Sequence, residues 1–364
     1  LVWPDNSYQL VKDFSTGKKL VITYKKENTQ TASNIGEVIN GLISDKKQFT
    51  YVDVKADTLG SVKPFETLDF NYYGLLPHGY FPHVPAMAVA DVNNDGIEDL
   101  YIGGIAGEEK YLLAGGKDGK FTKVAVDAFT PSKELGDLNA VWLDANSDGL
   151  QDLMVVSASH PFFEVEKRNQ PRLYINKGNF KFEDITATAQ VAGTADWCSG
   201  VTMADVNGDG WLDIYVSAIS GKFGLKGQNQ LFINNKNATF TESAAAYGLD
   251  IESYAGQSAF FDYDHDGDLD CYVLNQSDRP YQNIVDTSNR RKYDPHAGDK
   301  LLRNDLNTGS KKFTDVSAQA GIYQSSLGYG LGIAVADLNN DGWDDIYIGN
   351  DFHENDYYYI NNGN

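Results

Sequence analysis

Five times between residues 91 and 345 the chain repeats one nine-residue pattern, D-x-[DN]-x-D-G-x-x-D, as DVNNDGIED, DANSDGLQD, DVNGDGWLD, DYDHDGDLD and DLNNDGWDD. The first aspartates are Asp91, Asp144, Asp205, Asp262 and Asp337, separated by 53, 61, 57 and 75 residues. An apolar run precedes each copy (AMAVA, NAVWL, GVTMA, QSAFF, GIAVA) and another follows it (LYIGG, LMVVS, IYVSA, CYVLN, IYIGN). Short apolar runs bounded by Gly and Asn turns read as strands, so each acidic stretch is predicted to be the loop of a hairpin. A third run, as in RLYIN or QLFIN, turns through Asn or Gly into a fourth, FKFEDIT or ATFTESA. Four strands per repeat at such periods describe a propeller blade with insertions. The chain is therefore predicted to be all-β, a β-propeller of four-stranded blades with five acidic-loop blades visible.

The spacing within the pattern carries metal chemistry. Side-chain oxygens at loop positions 1, 3 and 5, a backbone carbonyl at 7 and a carboxylate at 9 can surround one hard cation, and Gly at 6 permits the sharp turn. The candidate ligands are Asp91, Asn93, Asp95, Ile97 and Asp99 in the first loop and Asp144, Asn146, Asp148, Leu150 and Asp152 in the second. The third offers Asp205, Asn207, Asp209, Trp211 and Asp213, and the fourth Asp262, Asp264, Asp266, Asp268 and Asp270. The fifth offers Asp337, Asn339, Asp341, Trp343 and Asp345. Calcium takes six to eight oxygens in flexible geometry, magnesium wants an octahedron rich in water, and no His or Cys accompanies the pattern to suggest zinc. An EF-hand closes with glutamate at position 12 between helices, whereas this pattern closes at 9 between strands. Calcium at about five sites is the expected cofactor.

The formal charge of −21, from 51 acidic and 30 basic residues, argues against a nucleic-acid or anionic-membrane partner, since both require clustered Lys and Arg. Five ions of charge two would bring −21 to −11. At extracellular-type affinities of about 0.1–1 mM, each site in ~1 mM calcium adds roughly 0.4–1.4 kcal/mol of stability. No run approaches the ~18 apolar residues of a membrane-spanning helix. The two cysteines, Cys198 and Cys271, are read as unpaired buried residues.

The strand, D-x-[DN]-x-D-G-x-x-D loop, strand unit resembles the FG-GAP or VCBS repeats of integrin-α-like propellers from about Pro85 to Asn364. The opening LVWPDNSYQLVKDF is similar to the closing strands of the ASPIC/UnbV domain that accompanies such repeats, through Trp3, Pro4 and Gln9. The resemblance implies an ASPIC/UnbV-like segment over 1–27, a linker over 28–68 and a propeller over 69–364. Such propellers usually have seven blades, so residues beyond Asn364 are expected to close the ring. Family members are exported, which implies an extracellular or cell-surface location, on the outer-membrane face of a bacterium.

In up-and-down blades the acidic loops and the third-to-fourth-strand turns share one face, and the longer connections share the other. Long connections in compact domains are usually functional. They carry His160, Phe162, Phe163, Phe223, Tyr281, Tyr293, His296, His353 and Glu354, candidate contacts for a protein partner, an outer-membrane complex included. Aromatic stacking on a glycan is the open alternative, with packing of the loops onto the blades an equal competitor to both. The adjacent Arg290 and Arg291 read as a solvated pair. His353, Glu354 and Asp356 form an acid/base-like constellation, but nothing marks a nucleophile, and no G-x-S-x-G, P-loop or H-E-x-x-H occurs. The expectation is a non-catalytic binding protein, with a surface polysaccharide hydrolase as the lesser alternative.

Overall fold

The computed structural model describes residues 7–8, 25–26, 30–31, 85–104, 107–133, 135–157, 170–221, 225–278, 287–352 and 354–363. The chain divides into two compact units, Leu1–Lys55 and Ala56–Asn364. In the first, β1 (Ser7–Tyr8) pairs antiparallel with β2 (Gln30–Thr31). The ASPIC/UnbV-like signature residues Trp3, Pro4 and Gln9 lie outside the described residues.

The second unit consists of successive antiparallel sheets in sequence order. The first blade is β3 (Met87–Ala90), β4 (Asp99–Ile102), β5 (Tyr111–Gly115) and β6 (Phe121–Val124). The second is β7 (Asp137–Leu143), β8 (Asp152–Ser157), β9 (Arg172–Asn176) and β10 (Phe182–Asp184). The third is β11 (Cys198–Ala204), β12 (Asp213–Ala218), β13 (Gln230–Asn234) and β14 (Phe240–Glu242). The fourth is β15 (Ala255–Phe261), β16 (Asp270–Asn275), β17 (Lys300–Arg303) and β18 (Thr314–Asp315). The fifth has three described strands, β19 (Gly330–Ala336), β20 (Asp345–Asn350) and β21 (Tyr357–Tyr359). These are the predicted all-β propeller blades.

Register repeats with the sequence. The last residue of each first strand faces the ninth residue of its acidic loop: Ala90 with Asp99, Leu143 with Asp152, Ala204 with Asp213, Phe261 with Asp270 and Ala336 with Asp345. Blades two to five each bulge near the start of the first strand, for example between Cys198 and Gly200. All six residues of β8, β12 and β16 are buried, because alternate side chains pack on opposite neighbouring blades. Thus Tyr215 of β12 packs forward against Cys271 and Val273, while Ile214 packs backward with Met154 and Val156. Both cysteines are free and buried, as expected, and burial pushes the Cys198 thiol up to about 12.

Blade five differs on its forward face. Tyr347 and Tyr358 are 41% and 48% exposed, whereas their register equivalents Tyr215 and Leu231, or Tyr272 and Leu301, are buried. The first strands of blades two to five, with Leu274 and Gln276 at the end of the fourth blade's second strand, line a groove bearing the amides of Asn139, Gln257 and Gln276 and the hydroxyl of Ser199.

Candidate metal centres

Each acidic loop folds around its first aspartate. The Asp91 carboxylate accepts the N–H of Asp95 at 3.0 Å and that of Gly96 at 2.7 Å. Asp144, Asp205, Asp262 and Asp337 hold positions 5 and 6 of their own loops in the same way, at 2.7–3.1 Å. The position 5 carboxylate in turn accepts the N–H of position 7, in Ile97, Leu150, Trp211, Asp268 and Trp343. Gly at position 6 has φ between 82° and 94° in all five loops. Position 4 is also left-handed, in Asn94, Ser147, Gly208, His265 and Asn340 (φ 57–69°), a second turn constraint that the pattern's unspecified "x" concealed. So constrained, the loops share one backbone conformation, and among the described residues the fourth loop draws its position 1, 3 and 9 carboxylates into one cluster.

Position 9 is where loop meets fold. Asp99, Asp152, Asp213, Asp270 and Asp345 are completely buried. Each uses one carboxylate oxygen to accept the position 2 N–H of its own loop, at 2.9–3.1 Å, in Val92, Ala145, Val206, Tyr263 and Leu338. The other oxygen accepts an N–H from the end of the third strand: Gly115, Asn176, Asn234, Asn304 or Asn361, at 2.8–2.9 Å. The four asparagine side chains then reach the preceding blade. Asn176 donates to the Val92 carbonyl at 2.9 Å, Asn234 to Ala145 at 3.2 Å, Asn304 to Val206 at 3.2 Å and Asn361 to Tyr263 at 2.7 Å. These asparagines were not singled out from the sequence, although RLYIN, QLFIN, KLLRN and YYYIN show them recurring at one place.

Burial raises these acids. Desolvation pushes Asp152, Asp213 and Asp270 up to about 7 against the pull of their two backbone N–H partners, and raises Asp99 as well. The fourth loop is the most demanding. Oxygens of Asp262, Asp264 and Asp270 lie within 4.8 Å of one another. Asp264 replaces the Asn found at position 3 elsewhere, and a carboxylate cannot donate to position 5 as Asn93, Asn146 and Asn339 do. One oxygen each of Asp264 and Asp268 is buried with no hydrogen-bond partner, and both groups are raised, first by burial and then also by neighbouring acids. Orphaned carboxylate oxygens beside further carboxylates fit a hard, oxygen-seeking divalent cation.

Of the opposite-face candidates, His160, Phe162, Phe163, Phe223, Tyr281 and His353 lie outside the described residues. Tyr293 is 59% exposed. His296 is half-buried and stacks on Tyr254, with ring centroids 5.7 Å apart. Glu354 is buried and receives Arg290 through both Nε and Nη2, the latter at 2.8 Å, so Arg290 is not the solvated residue its neighbour Arg291 suggested. Asp356 accepts the Tyr347 hydroxyl and the Asn350 N–H, which leaves Glu354 and Asp356 each committed to structural bonds. Trp142 and Trp197 are buried, and Trp343 stacks on His265 of the preceding loop at 3.9 Å, in line with a packing role.

The chain matches the FG-GAP-like repeat over residues 91–155, 144–216 and 219–273, and the FG-GAP repeat over residues 329–359. It is also 25% identical over 274 residues to cartilage acidic protein 1 of Mus musculus, an alignment spanning 72% of this chain and 40% of the relative. Matches that begin at Asp91, include the first four acidic loops and resume across the fifth identify the chain as a member of the FG-GAP repeat family.

Proposed function

We propose that the chain is a calcium-stabilised, non-catalytic propeller of the extracellular space or cell surface that presents its long-connection face to a protein partner. The observation that carries the metal part is the orphaned, buried carboxylate oxygen in a loop whose design recurs four more times. Positions 1, 3, 5 and 9 would hold the ion with the position 7 carbonyl, and the ion's contribution is charge neutralisation. The loop backbone aims the carboxylates, and position 9 ties them to the blade.

An extracellular setting is supported by energetics, since loops of millimolar-type affinity fill only where calcium is abundant. The matched relative is named as an acidic protein of cartilage, and this chain is itself acidic at −21. An outer-membrane complex is one partner that suits such a surface. Aromatic Tyr293, exposed on the face away from the ions, supports a docking role there.

Elemental analysis of protein purified in calcium tests the metal reading, with close to five ions per chain expected and none expected after exhaustive chelation. Mass spectrometry of proteins co-purifying from the native source in calcium tests the docking role. A stoichiometric partner supports it; a protein that emerges alone and gives signal on a glycan array replaces it with sugar recognition.

A further inference from the structure

The hydrogen bonds of position 9 do not stop at the blade boundary. Asp152 holds the N–H of Asn176, and the Asn176 side chain holds the carbonyl of Val92, whose own N–H is held by Asp99. The same three links run from Asp213 through Asn234 to Ala145, and onward to Asp152. They repeat from Asp270 through Asn304 to Val206, and from Asp345 through Asn361 to Tyr263. One unbroken chain of bonds therefore threads all five loops, buried from the first blade to the fourth and partly buried at the fifth. It begins in the first blade, where Gly115 takes the strand-end place and has no side chain to reach backward.

We propose that Asn176, Asn234, Asn304 and Asn361 are positioning residues that couple ion binding between consecutive loops. This rests on the metal reading above. An ion that fixes the orientation of one position 9 carboxylate strengthens the hydrogen bond that carboxylate accepts from the asparagine N–H. The asparagine amide then holds the start of the preceding loop more firmly, and that loop has less ordering left to undergo when its own ion arrives. Coupling between sites is reciprocal, so it acts in both directions along the chain. Independent loops would need none of these cross-blade bonds, since the third strand alone supplies the position 9 acid with its backbone partner.

The loops provide their own reporters. Trp211 and Trp343 occupy position 7 of the third and fifth loops and sensitise terbium(III) bound there. In a Trp343→Phe background, Trp211-sensitised emission reads the third loop. Its terbium affinity is measured with the second loop intact or disabled by Asp144→Asn and Asp148→Asn, each with and without Asn234→Leu. Loss of two charges perturbs the field equally in both pairs, so the difference between pairs isolates the asparagine.

The expected result is that disabling the second loop weakens the third by about fivefold or more, and by less than about twofold in the Asn234→Leu background. Insensitivity of the third loop in the first pair, or coupling that persists in the second, overturns the proposal. If Asn234→Leu does not fold, Asn304→Leu with the fourth loop disabled by Asp262→Asn and Asp266→Asn gives the same reading from the same reporter. Absence of sensitised emission together with absence of bound calcium overturns the metal reading itself.

Discussion

Asp299, at the start of the fourth blade's third strand, shows how strongly a single buried carboxylate can set the pH response. It accepts the Tyr272 hydroxyl at 2.8 Å and the Asn275 N–H at 2.8 Å, and burial pushes it up to about 7. Another buried acid, Asp137 at the start of the second blade's first strand, is surrounded by Arg172, Lys110 and the hydroxyls of Tyr101 and Ser157. Among the described residues, the cation that attracts Asp299 is Lys300 alone. A carboxyl raised on folding binds its proton more tightly in the native state, so its favourable contribution is complete below about pH 4 and is lost as pH rises through 7. The penalty at high pH is on the order of 4 kcal/mol for the full shift. An asparagine in its place would keep an acceptor and carry no charge. With calcium saturating, Asp299→Asn is expected to gain stability relative to wild type between pH 5 and pH 8, as read by denaturant unfolding. A difference that stays constant with pH would show that Asp299 is ionised throughout.

At the scale of strands and blades, neighbouring context decides what a position tolerates. Gly200 and Gly332 follow the bulge at equivalent places in β11 and β19. A Cβ at Gly200 would stand 2.0 Å from Gln257 Oε1 and 2.7 Å from the Gly256 carbonyl oxygen, and a backbone atom of a packed strand has nowhere to retreat. At Gly332 a Cβ meets nothing within 4 Å. Gly200→Ala is expected to cost about 1–3 kcal/mol and Gly332→Ala close to nothing, with thermal unfolding as the check. The same contrast between local and distant determinants explains what the sequence disclosed. Acidic loop, glycine turn and flanking strand lie within some twenty residues, so spacing alone predicted the four-stranded blades and the acidic loops at their hairpin tips. The asparagine clamps join residues 84, 89, 98 and 98 positions apart, which no local pattern encodes. Arg290 and Glu354, 64 positions apart, were likewise legible only after two connections had been brought to one face.

For the whole molecule, the acidic charge opposes the compact fold, and on the proposed calcium reading bound cations relieve that opposition. The net charge is −21, and five buried position 9 carboxylates sit within acidic loops. Chelation is expected to lower the unfolding midpoint by roughly 5 °C or more, given contributions of about 0.4–1.4 kcal/mol per site at ~1 mM calcium. Added sodium chloride should recover part of that loss in the chelated protein and do little in the loaded one, because monovalent salt screens repulsion without occupying the sites. An unfolding midpoint unchanged by chelation, in protein shown by elemental analysis to be ion-free, would remove calcium from the account of stability.

All five loops place glycine directly after the position 5 aspartate, in Asp95–Gly96, Asp148–Gly149, Asp209–Gly210, Asp266–Gly267 and Asp341–Gly342. Aspartyl–glycyl bonds age chemically: the glycine nitrogen attacks the aspartyl side chain, closes a succinimide and reopens largely as isoaspartate. Here every such glycine N–H is held by the position 1 carboxylate at 2.7–3.1 Å, a hydrogen bond the nitrogen must give up before it can attack. On the proposed calcium reading, a cation gripping the same carboxylate would tighten that restraint, and its loss would loosen five vulnerable bonds together. On that reading, the shelf life of the molecule would follow its calcium supply. Isoaspartate should accumulate on storage in chelator and stay near baseline in calcium, so that each chain carries a chemical record of time spent without its ions.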